Sequence, residues 1–120
     1  MIETQTYKNL KGKSKDNYPE MIVVHHSAAS ADQTVKSIED YHLGLGWEGV
    51  GYQYLINKFG EVYQGRPEYY HGAHTAGHNN DSIGICMIGN FDLYLPTEAQ
   101  KKALVELISD IQERYNIGVD

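Results

Sequence analysis

Six histidines occur in this 120-residue chain, and all of them fall between His25 and His78. His25-His26 closes an apolar run, Met21-Ile22-Val23-Val24, that fits a buried strand. Adjacent strand side chains point to opposite faces, so only one of the pair can face a given cleft. A neutral imidazole held on a rigid strand is a good zinc ligand; the alternative is that one His caps the strand and the other packs. The segment His71-Gly72-Ala73-His74-Thr75-Ala76-Gly77-His78 reads H-x2-H-x3-H and could ligate a metal by itself. Thr75 and Gly77 are poor helix formers, so a loop whose histidines bond to backbone fits equally well. In Gly51-Tyr52-Gln53-Tyr54, a strand would place Tyr52 and Tyr54 on the same side, and one phenol could donate to a developing oxyanion. A pair of tyrosines at the core edge is the other reading. Cys86, between Ile85 and Met87, reads as a small buried hydrophobe rather than a nucleophile. No GxSxG, P-loop, HExxH, GxGxxG or CxxC pattern is present, so serine-hydrolase, nucleotide-binding and zincin chemistry lack support.

These groups need elements to position them. Asp32 or Thr34 can cap a helix to about Leu43, with Val35, Ile38, Tyr41 and His42 at helical spacing and Gly44 and Gly46 as the stop. Gly51 to Ile56 and Glu61 to Tyr63 read as strands joined by the turn Asn57-Lys58-Phe59-Gly60. Gly65 to Asp81 has no periodicity, and a loop of that length inside a compact domain is usually functional. Ile83 to Ile88 is a further apolar strand. Thr97 and Gln100 form a capping box ahead of the stripe Leu104, Leu107, Ile108, Ile111 and Tyr115, and Asn116 or Gly118 ends that helix. Residues 1–19 read as an irregular, Lys-rich leader and 20–120 as the core of one domain. The chain stops at Val119-Asp120, where a following strand would be expected to begin.

Composition narrows the partners. Ten Lys and Arg stand against sixteen Asp and Glu, a formal charge of −6, which argues against a nucleic-acid partner and a polybasic membrane-surface module. No apolar run approaches the roughly 18 to 20 residues of a spanning helix, so membrane insertion is not expected. The start, Met1 to Tyr7, has neither a basic region nor an apolar core, and a cytoplasmic product without a signal peptide is the expectation. One cysteine excludes an intramolecular disulfide. Ten Tyr against two Phe and one Trp suit a polar-ligand cleft.

The order of these pieces resembles the zinc-dependent N-acetylmuramoyl-L-alanine amidase family, which includes phage endolysin amidases and peptidoglycan recognition proteins. The resemblance is carried by Ile22-Val23-Val24-His25-His26-Ser27-Ala28, by Gly46-Trp47 with Val50-Gly51-Tyr52, and by Gly60-Glu61-Val62-Tyr63-Gln64-Gly65-Arg66. It continues through Gly72-Ala73-His74-Thr75-Ala76-Gly77-His78-Asn79 into Ser82-Ile83-Gly84-Ile85 and Ile88-Gly89-Asn90-Phe91, in register from about residue 21 to 115. It implies an α/β fold, a mixed central sheet flanked by helices, here lacking the family's C-terminal strand and loop. It also implies zinc-dependent hydrolysis of the amide between N-acetylmuramic acid and the L-alanine of the stem peptide. His25 would be a zinc ligand and Tyr52 would stabilise the tetrahedral intermediate. His74 and Thr75 would line the substrate wall, with Trp47 and Arg66 at the cleft or behind it.

The family's remaining ligands, a His and a Cys or Asp, follow the long helix; no His or Cys follows Cys86 here, and Asp120 is the one late carboxylate near that place. The expected partner is peptidoglycan or a muropeptide, met by a monomer acting on the wall after release. Two alternatives stand beside hydrolysis: a zinc-free muropeptide-binding module, and a metal site rebuilt from His25 with His74 or His78.

Overall fold

The structure, a computed structural model, describes residues 2–3 and 16–118. Its elements are β1 (Ile2–Glu3), β2 (Met21–His26), α1 (Val35–Gly44), β3 (Tyr54–Ile56), β4 (Val62–Gln64), β5 (Ser82–Met87) and α2 (Glu98–Tyr115). The strands form one mixed sheet in the order β1-β4-β3-β5-β2. Among the described strand pairs, β3 with β4 is antiparallel, while β1 with β4, β3 with β5, and β5 with β2 are parallel.

Strand alternation sorts the core into two layers. Tyr54, Ile56, Ile83, Ile85 and Met87 pack against Leu107 and Ile111 of α2. Leu55 and Cys86, from the opposite sheet face, pack with Val35 and Ile38 of α1 and with Val50 and Ile88. The two helices therefore cover opposite faces. All six β5 residues are buried, as a central parallel strand requires.

Caps fix both helices. Thr34, not Asp32, caps α1 by accepting from the Ser37 N–H. The Thr97–Gln100 capping box starts α2, and Asn116 ends it in the left-handed conformation at φ 54°. Gln100 has a second duty: its Nε2 donates to the carbonyls of Ile56 (3.1 Å) and Ile88 (3.0 Å), tying α2 to the ends of the β3 and β5 region. At the other end of α2, Glu68 accepts both Nη groups of Arg114 (2.6 and 2.7 Å) and the hydroxyls of Tyr115 (2.7 Å) and Tyr54. Those donors hold the Glu68 carboxyl below its usual pKa against the opposing effect of burial.

Two sequence expectations are corrected. The leader is not wholly irregular: Ile2 and Glu3 pair with Tyr63 and Gln64, and Asp16 bridges to Tyr70. A two-residue strand is stabilised by backbone bonds to an existing edge and needs no apolar pattern of its own. Tyr52 and Tyr54 do not share a face. β3 begins at Tyr54, a bend at Gln53 interrupts the alternation, and Tyr52 packs with the α1-side cluster while Tyr54 joins the α2-side cluster. Gln53 takes over as a buried connector, its Oε1 accepting from the Gly84 N–H and its Nε2 donating to the Tyr70 carbonyl.

Candidate functional site

His25 faces the α1 side of the sheet. Its register partner is Cys86, and Val23 beside it pairs with Gly84. His26 turns the other way, accepting the Phe91 N–H at Nδ1 (3.1 Å) and stacking on the Phe91 ring. The strand thus divides the two histidines between two faces.

The loop between β4 and β5 delivers His74 to the same place. Asn79 Oδ1 accepts the backbone N–H groups of both His74 and Thr75 at 2.9 Å, and the Ala73 N–H donates to the Gly51 carbonyl at 2.8 Å. His74 Nδ1 then lies 2.8 Å from His25 Nε2, with the rings edge-on at 83°. On its other side, His74 Nε2 lies 3.1 Å from Ser82 Oγ, which donates its single proton to the His78 carbonyl at 2.5 Å. Ser82 must accept from His74, so Nε2 carries the proton and Nδ1 accepts from His25 Nε2–H. Glycine makes the space: a Cβ on Gly84 would fall 2.6 Å from two carbons of the His74 ring.

Tyr52 completes the group, its ring 5.5 Å from His25 and 6.3 Å from His74. Burial, with the Cys86 thiol beside it, pushes its pKa well above the usual phenol value, so the hydroxyl keeps its proton and can donate. Cys86 is a free, fully buried thiol whose pKa burial raises to about 12, which suits packing and not nucleophilic attack. The imidazoles are shifted the other way. Burial, and then the charges of His25 and Arg66, lower His74 to about 4; burial and then His26 lower His25. Both rings are neutral at pH 7.

His42 is a wall residue that the pattern of the α1 helix concealed. It occupies a stripe position like any core residue, yet its Nδ1 accepts the Gly51 N–H at 2.9 Å. Its ring lies 4.5 Å from Trp47 and 5.8 Å from Tyr52. Burial and then the Arg66 charge lower its pKa to about 4. Trp47 is 36% exposed and forms a rim over His42. Arg66, expected at the cleft or behind it, is only 3% exposed. Its Nε donates to the Val50 carbonyl (2.9 Å) and its Nη1 to the His71 carbonyl (3.0 Å), so it ties the strand entry to the loop. Thr75 is half-buried beside His74, while His78 is exposed and bonds to Asp81 at 3.2 Å.

The result is a cluster of neutral imidazoles, one protonated phenol and one indole, suited to hydrogen bonding and stacking on a polar, uncharged ligand. Among the described residues no helix is long and apolar enough to cross a membrane.

The model of the N-acetylmuramoyl-L-alanine amidase family matches residues 15–120. The chain belongs to this family. It is 38% identical over 109 residues to peptidoglycan-recognition protein SC2 of Drosophila melanogaster, covering 84% of this chain and 59% of that protein. It is 41% identical over 108 residues to the endolysin of Enterobacteria phage T3, covering 83% of this chain and 71% of the endolysin. The solved N-acetylmuramoyl-L-alanine amidase LysC from Clostridium intestinale URNW superimposes with a TM-score of 0.89 at 35% identity, over 97% of this chain and 76% of LysC. The amidase-family chain thus spans about three-fifths of its Drosophila relative.

Zinc is the ion this amidase family implies, and the donor set can be tested against it. A catalytic zinc takes three protein ligands and leaves a fourth position open. Among the described residues no group of three His, Cys, Asp or Glu side chains could hold a metal, and Asp120 lies outside them. His25 and His74 face one another with no thiolate or carboxylate beside them, and His78 turns away to Asp81. The described residues therefore do not fit a three-ligand zinc by themselves.

Proposed function

We propose that the chain engages the muramyl–L-alanine junction of peptidoglycan and serves hydrolysis of the amide between the lactyl group of N-acetylmuramic acid and L-alanine. The observation that supports this reading is the convergence of His25, His74 and Tyr52 from three separate segments onto one sheet face, in a chain of the amidase family. Tyr52, protonated at working pH, would donate to the oxygen on which negative charge develops. His74 and Thr75 would line the glycopeptide, and Trp47 would offer its indole to the sugar or peptide face. Arg66 would act from inside, holding Val50 and His71 in place.

Zinc dependence belongs to the proposal through His25 alone, as one ligand. The test is incubation of the purified chain with peptidoglycan sacculi, with and without added zinc, followed by mass spectrometry of the soluble products. Peptides beginning with free L-alanine are the expected product, lost in His25→Ala; retained activity in that variant would sink the ligand role. Tyr52→Phe should lower turnover on the order of 10²-fold. A rate unchanged by it removes Tyr52 from the chemistry.

A second reading is favoured by the two-imidazole donor set: a zinc-free muropeptide-binding module. It predicts co-sedimentation with sacculi and no new amino termini under any zinc concentration.

A further inference from the structure

A cavity of about 680 Å³ lies between the start of α1 and the β3–β4 turn, walled by Gln33, Glu39, Lys36, Lys58, Phe59 and Tyr63. None of these residues belongs to the His25 cleft, and β4, which supplies Tyr63, is separated from β2 by β3 and β5. The volume is within the range of about 300 to 1,000 Å³ usual for small-ligand sites.

The polar atoms of this wall are unevenly matched. Glu39 is 6% exposed, and no hydrogen bond or ion pair reaches its carboxylate among the described residues. Gln33 Oε1 is buried without a partner. The two lysines are committed elsewhere: Lys36 to Asp40 at 2.6 Å, with Glu39 only a minor contributor to its charge environment, and Lys58 to Asp32. The first turn of α1 has its own acceptor in Thr34 Oγ1. Gln33 Oε1 is thus a buried acceptor left without a donor, and Glu39 brings to the same wall a carboxylate that no donor reaches.

We propose that this cavity binds an organic cation, an ammonium or guanidinium carried on a short aliphatic stem. Its head group donates to Glu39 and Gln33 Oε1, and its stem lies along the Tyr63 ring, whose face also attracts the charge; the Phe59 ring is already taken by the Lys58 ammonium, 5.1 Å from its centroid. The chemistry is shared by a free diamine and by the side chain of a lysine in a peptide.

The test is a titration of the ¹⁵N-labelled 120-residue chain, followed by amide NMR, with cadaverine in one arm and Nα-acetyl-lysine-amide in the other. Saturable shifts confined to Thr34–Lys36, Asn57–Lys58 and Tyr63 are expected, weakened at least tenfold in Glu39→Gln and severalfold in Gln33→Ala. Tighter binding of cadaverine identifies a free amine as the ligand source; tighter binding of the lysine amide identifies a peptide side chain. Gln33 is partly exposed, so its variant decides the matter if Glu39→Gln does not fold. Absent shifts, shifts spread over surface carboxylates, affinity unchanged in the variants, or saturable binding of inorganic phosphate at the same amides would each overturn the proposal.

Discussion

His25 Nε2 and His74 Nδ1 are 2.8 Å apart, and the direction of the bond between them is set by a third residue. Ser82 spends its only proton on the His78 carbonyl, so it accepts the Nε2 proton of His74 and leaves Nδ1 as the acceptor for His25. The Ser82 hydroxyl thus orients a contact it does not touch.

That arrangement predicts the behaviour of Ser82→Ala. Without the acceptor, His74 loses the partner that selects its tautomer. Long-range ¹H–¹⁵N spectra at pH 7 should show a single Nε2–H form for His74 in the parent chain and a mixture in the variant. An unchanged spectrum would mean that Ser82 does not set the tautomer.

Gly84→Ala tests the space that His74 occupies. The added Cβ would lie 2.6 to 2.7 Å from three atoms of the ring, so the imidazole must leave its place. Overpacking of this kind costs about 1–3 kcal/mol. Denaturant unfolding should register that loss together with disappearance of the His25–His74 bond. Parental stability with the bond intact would contradict the packing described here.

His42 predicts a pH dependence with a defined sign. Its folded-state pKa of about 4 lies below the usual 6.5, so the unfolded chain takes up the proton first as pH falls. The stabilisation is whole above about 6.5 and is lost as pH drops toward 4. Protonation at Nδ1 would also break the bond from Gly51 N–H. His42→Asn does not titrate, so the stability difference between parent and variant should shrink steadily from pH 7 to pH 4.5. A constant gap would show that His42 is not the titrating group.

Much of the fold was legible because its signals are local. The Thr97–Gln100 box, the α2 stripe and the apolar run of β5 depend on spacing along one segment, and the structure keeps all three. The opposite faces of Tyr52 and Tyr54 were not legible, because the bend at Gln53 exists to bring its amide to Gly84 and Tyr70, two segments remote in sequence. His42 shows the same limit: on a helix stripe an imidazole and a core side chain occupy the same positions, and only the approach of Gly51 distinguishes them. For Arg66 the resemblance left open the cleft or a place behind it; the choice rests on two carbonyls, of Val50 and His71, that become neighbours only in the folded chain and take up its donors.

The central claim is that the His25 face receives the muramyl–L-alanine junction, and one titration tests it most directly. N-acetylmuramoyl-L-alanyl-D-isoglutamine added to the ¹⁵N-labelled chain should shift the Tyr52, His74 and Thr75 amides and the Trp47 indole saturably, and His25→Ala should weaken that response. No saturable response at these groups, or one equally strong in the variant, would contradict the assignment of this face to peptidoglycan.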